Sequence, residues 1–127
     1  MRRQLWTTII VFLCSTALCA YALWAVTGFT DRARSLRSEA ILAMDAGDVQ
    51  AAEVTLVQLA AHLEENQTML EIFCDHEDLH SLKGELIDAQ ASIEFGIEDD
   101  FYQAISRFGE LLEHLADNQK VNLRNIG

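Results

Sequence analysis

The stretch Leu5–Val26 constrains this chain more than any other. It reads LWTTIIVFLCSTALCAYALWAV, with no charge and no proline. As a helix it spans roughly 33 Å, at about 1.5 Å rise per residue, which matches the hydrocarbon core of a bilayer. It predicts a transmembrane helix over 5–26, behind a short stub, residues 1–4, that carries Arg2 and Arg3. A signal peptide is the competing reading, because Ala20-Tyr21-Ala22 offers a small-x-small site behind the apolar run. The run continues through Leu23–Val26, longer than a signal sequence needs, so the uncleaved anchor is preferred. Leu13 and Leu18 precede Cys14 and Cys19 where a lipobox wants a small residue. The two cysteines read as apolar filler. Ser15, Cys19 and Ala22 lack a GxxxG and make a weak signal for helix pairing.

The remaining hundred or so residues suffice for one modest core. The chain has no proline and only six glycines, so the turn punctuation of a β-rich domain is missing. From Thr30 onward, seven Lys/Arg face twenty Asp/Glu. Such a surface repels phosphate backbones and argues against nucleic acid as a partner. Charge does not orient the span. Arg2, Arg3 and the terminal amine on one side balance Arg32, Arg34 and Arg37 on the other.

Four amphipathic helices follow from the periodicity. Thr30-Asp31 can cap a first helix to about Ala46, with Ile41, Leu42 and Met44 on its apolar side, although it can equally continue the membrane helix through Thr27–Phe29. Gly47 is a plausible stop. Asp48 caps a longer second helix, with Val49, Ala52, Leu56, Leu59, Leu63 and then Met69, Leu70 and Phe73 on its apolar side. Asp75 caps a third, with Asp78 in the place of a capping-box acid and Leu79, Leu82, Leu86, Ile93 and Ile97 facing inward. Gly96 lies near its end. Asp99 caps a fourth, with Phe101, Ile105, Phe108, Leu111, Leu112 and Leu115 on one side. The expected fold is all-α: one N-terminal transmembrane helix, then a small antiparallel up-and-down bundle over 27–117. Residues 118–127 form a C-terminal tail whose Val121, Leu123 and Ile126 can pack back on it. Alternating helix directions bring the turn at Cys74–His76 and the end of the fourth helix to the membrane-proximal end.

His76-Glu77-Asp78-Leu79-His80 matches H-E-x-x-H, the pattern in which two histidines one turn apart bind zinc and the glutamate activates water. His114 is the best candidate for a third ligand. Short motifs match by chance in a chain rich in acids, no cleft-forming second domain is evident, and Asp75–His80 is already explained as a capped helix start. The preferred reading makes His76 and His114 structural neighbours at the bundle end, with no catalytic residue, metal or cofactor. A di-iron bundle would need E-x-x-H on two helices, and Glu77-x-x-His80 supplies one. Cys74, the one thiol outside the span, reads as a small core residue.

Phe73-Cys74-Asp75-His76-Glu77-Asp78-Leu79 resembles the F-x-D-H-E-E-I signature of an uncharacterised bacterial family, domain of unknown function 4363. Leu111-Leu112-Glu113-His114-Leu115, followed by Asn122-Leu123-Arg124-Asn125-Ile126, resembles that family's L-L-x-H-I and S-L-x-N-I ending. The chain departs from the family at Val49, Leu63 and Met69, where tryptophans are frequent, at Ala116, where proline is frequent, and at His80, usually acidic or polar. His76 and His114 carry over. The resemblance implies a single-pass protein with its helical domain outside the cytoplasm, and it supplies no activity.

Together these readings point to a membrane-anchored, non-enzymatic helical module that binds a protein partner in the membrane or envelope. The alternative is a zinc-dependent peptidase or metal-binding protein using His76, His80 and His114, with Glu77 as base. A sensory bundle for a small ligand is a third class, for which no binding residues are evident.

Overall fold

The computed structural model describes the backbone of residues 2–126 and the side chains of residues 2–118. All five elements among the described residues are helices: α1 Arg2–Asp45, α2 Val49–Glu65, α3 Gln67–Phe73, α4 His76–Phe95 and α5 Glu98–Ile126. The all-α expectation holds. α1 is long and apolar enough to cross a membrane by length and composition.

α1 is one continuous helix of 44 residues, about 66 Å long at helical rise. Thr30 is not a cap. Its hydroxyl is buried and donates to Val26 O at 2.7 Å, one turn back, so the helix runs through the position where a new start is equally readable. Asp31 pairs with Arg34 at 2.9 Å instead. Packing sustains this continuity, because Val26, Phe29, Ala33 and Leu36 form one buried stripe across the junction.

The expected stops and two of the four expected starts are present. Gly47 and Gly96 take φ of +79° and +71°. Each closes a Schellman motif: Asp48 N–H donates to Ala43 O at 2.9 Å, and Ile97 N–H donates to Ser92 O at 2.9 Å. The Asp48 and Asp75 carboxylates accept from Ala51 N and Glu77 N, both at 3.1 Å. Asp99 is not the cap of the last helix. Phe101 N–H donates to Ile97 O at 3.2 Å, so α5 starts two residues early and Asp99 lies in its acidic first turn, complementing the helix dipole. The long second helix is divided at Asn66, whose side chain donates to His62 O at 2.8 Å where the chain leaves α2. α5 continues as helix to Ile126 where a tail is expected. The packing of Val121, Leu123 and Ile126 lies outside the described side chains.

α1 rises, α2 and α3 descend, α4 rises and α5 descends back along α1. Phe101, Phe108, Leu36, Leu56, Leu59 and Leu82 are fully buried between them. Leu42, Val49 and Ile97, expected on apolar faces, are 67%, 43% and 47% exposed; Val49 opens α2 and Ile97 lies in the turn between α4 and α5.

The seam between α1 and α5 is polar. Arg34 holds Glu113 with two N–H donors, one of them Nη2 to Oε2 at 2.8 Å. Arg37 Nε donates to Ile105 O at 2.8 Å. That guanidinium lies over Gly109, where a Cβ would meet Arg37 Nε at 2.6 Å. At the top, the Tyr102 hydroxyl donates to Asp45 at 2.6 Å, and this bond pushes the phenol pKa up to about 12.

Candidate functional site

The turn after α3 places the residues of the H-E-x-x-H match. Cys74 is extended (φ −122°, ψ 159°) and Asp75 caps α4, so His76 and Glu77 open the helix at its exposed first turn. His80 follows one turn later and is also exposed, while Leu79 between them is buried. The helix therefore turns its leucine inward and its histidines outward.

His114, on α5, is 57% exposed and faces Asp78 rather than His76. Its Nε2 lies 3.7 Å from Asp78 Oδ2 and 3.3 Å from Asn118 Nδ2. Asp78, expected to close a capping box, carries its carboxylate to α5. His76, His80 and His114 do not converge. Among the described residues, no group of three or more His, Cys, Asp or Glu is arranged to hold a metal ion.

Cys74 is half-buried, and burial, reinforced by the Asp78 carboxylate, pushes its thiol up to about 11. A thiol so shifted is a poor nucleophile at neutral pH. It fits the expected packing role beside the core.

The structure singles out a histidine that the motif search passes over. His62, near the end of α2, stacks on Phe29 with ring centroids 4.9 Å apart and planes 11° from parallel. Its Nε2 lies 3.1 Å from Phe29 O, and its Nδ1 lies 3.4 Å from Asn66 Nδ2. A carbonyl only accepts, so Nε2 carries the proton and Nδ1 accepts from Asn66. This ties α1 to α2 where α2 ends. The signal available in sequence was the His62–Asn66 spacing of one helical turn, which carries no meaning until Phe29 is placed beside it.

Open grooves follow the seams. One of about 580 Å³ runs between α1 and α5, lined by Arg34, Arg37, Gly109, Glu113 and His114. Its two arginines are satisfied within the chain. A smaller one, about 260 Å³, lies between α2 and α4 and is walled by Leu63, Leu86 and Ile87.

Fold and site together define a four-helix up-and-down bundle, its descending second limb split in two, built directly on a long apolar helix. The chain belongs to the family described as a domain of unknown function (DUF4363), whose model matches residues 25–126. That match spans the bundle and begins where the exposed apolar part of α1 ends. No curated protein and no solved structure matches the chain.

Proposed function

We propose that this protein is a single-pass, membrane-anchored helical module with no catalytic activity. It serves as an interaction or accessory subunit at the cell envelope, with residues 1–4 cytoplasmic and the bundle outside. The observation that carries this reading is the exposure of α1 before Ala22. Leu5, Trp6, Phe12, Leu13 and Leu18 are each about 60% exposed or more, and among the described residues no other helix covers them. An apolar segment of about twenty residues left uncovered by its own chain requires a lipid or protein environment. The helix then enters the bundle without a break, so the bundle is fixed to the anchor rather than tethered by a linker.

A protein partner is supported by apolar side chains left outside the core on α2 and α4. Val54, Val57 and Ile87 are more than half exposed. Ile87 borders the α2–α4 groove, and Val57 precedes its lining residues Ala60 and Glu64 at helical spacing.

Alkaline extraction of membranes and a reporter fused after Gly127 test the anchor and its direction. The chain is expected to stay in the pellet and the reporter to be active only outside the cytoplasm. A reporter active only inside overturns the orientation. Stoichiometric zinc in the purified chain, lost in His80→Asn, overturns the non-enzymatic reading in favour of the peptidase. Pull-downs from detergent that repeatedly recover no partner count against the interaction role.

A further inference from the structure

We propose that the lower end of the bundle is itself a lipid-contacting surface, with the last turn of α3 inserted beside α1 at the bilayer interface. The inference rests on the anchored reading of α1. Tyr21 and Trp24 lie about 24 and 28 Å along the helix from Leu5, at 1.5 Å per residue. A hydrocarbon core of about 30 Å that begins near Leu5 therefore ends at this pair. These are the amphipathic aromatics expected at a headgroup boundary. Their rings pack together at 6.2 Å, and the second neighbour of Tyr21 is Phe73, whose ring meets it edge-on at 6.1 Å. Phe73 ends α3, so α3 descends to the depth of Tyr21.

That depth sets what surrounds the adjoining side chains. Trp24 is 73% exposed and Ile72 is 69% exposed, on two different helices that meet through the Tyr21–Phe73 contact. An isoleucine and a tryptophan exposed to this degree at the level of the acyl boundary gain by entering it. The groups beside them define the lipid chemistry. Glu71, Asp75 and Glu77 are exposed around the same turn, with His76 among them. Those carboxylates repel anionic headgroups, so the surface suits a zwitterionic interface entered by apolar side chains rather than one bound through charge. Among the described residues, the bundle then stands on the bilayer at two points, the α1 span and the α3 tip.

Tryptophan quenching by lipids brominated high on the acyl chain tests this in phosphatidylcholine vesicles with the full-length chain. Three single-tryptophan proteins are needed: one retaining Trp6, one with Ile72→Trp and one with Phe95→Trp, the remaining native tryptophans replaced by phenylalanine. Positions 72 and 95 are both exposed, so neither substitution disturbs the core. Bromolipid is expected to quench positions 6 and 72 and to leave position 95, at the far end of α4, unquenched. Quenching at 6 without quenching at 72 overturns the inference and leaves the anchor standing. Quenching at neither 6 nor 72 overturns both. Equal quenching at 72 and 95 also overturns it, since the bundle then lies along the surface instead of standing on its base.

Discussion

His62 and His114 differ in what their surroundings make of the same imidazole. His62 is stacked on Phe29 and hydrogen-bonded at both ring nitrogens. His62→Ala removes the stack and a part-buried bond, so a loss of about 1–3 kcal/mol is expected in melting of the detergent-solubilised chain. His114 is more than half exposed and its carboxylate partner lies at 3.7 Å, so His114→Gln is expected to cost less than about 1 kcal/mol. His80→Asn is expected to be silent. Cys74 gives a chemical readout of its half-buried position. With Cys14 and Cys19 replaced by serine, Cys74 should alkylate at pH 8 roughly 100-fold more slowly in the folded than in the urea-unfolded chain, because less of it is thiolate. The linkage has a definite sign. A thiol whose pKa rises from 9.0 to about 11 on folding contributes stability that is full below pH 9.0 and is lost as pH climbs toward about 11. Alkaline denaturation that is unchanged in Cys74→Ala would contradict the assignment.

Among the helices, α1 and α4 make the sharpest predictions. Gly28 lies inside α1, exposed, with nothing within 4 Å of where a Cβ would be. If α1 is continuous there, Gly28→Ala should stabilise the chain by about 0.5–1 kcal/mol through helix propensity alone. A lower melting temperature would mean that the helix breaks at Thr27–Thr30. In α4, Leu86 is 3% exposed, and Leu86→Ala should cost about 2–5 kcal/mol. Its neighbour Glu85 is turned toward α5, with Oε2 buried and 3.8 Å from Arg107 Nε. Glu85→Ala should still change stability by less than about 1 kcal/mol, because the loose ion pair it removes has an exposed arginine. Equal melting temperatures for the two variants would refute the register of α4.

For the molecule as a whole, rigidity is the main consequence of the fold. The exposed apolar segment and the first helix of the bundle are one rod, and α5 returns along it under the hold of Arg34 and Arg37. Inserting a flexible Gly-Ser segment after Thr27 should leave the chain in the membrane pellet but destabilise the bundle, because Val26 and Phe29 could no longer share one buried stripe. An unchanged melting temperature after that insertion would show that the span and the bundle are independent units.

The features legible from residues alone are those whose causes lie within a few positions. The charge-free run of Leu5–Val26 announces a helix long and apolar enough to cross a membrane. Asp48 and Asp75 cap because each carboxylate reaches an amide two or three residues ahead, and Gly47 and Gly96 stop helices because a left-handed turn costs them little. Leucine spacing set the inward face of α4 for the same reason. What packing added has its partners far along the chain. Thr30 sits inside a helix rather than at its start because Phe29 and Ala33 are buried by other helices. The acceptor of Arg37 is the carbonyl of Ile105, and Gly109 matters because that guanidinium crosses it. The acceptor of His62 is the carbonyl of Phe29. His76, His80 and His114 form a plausible ligand set in one dimension. They separate in three because the buried face of α4 belongs to Leu79 and Leu82, and burying apolar surface outweighs gathering exposed imidazoles.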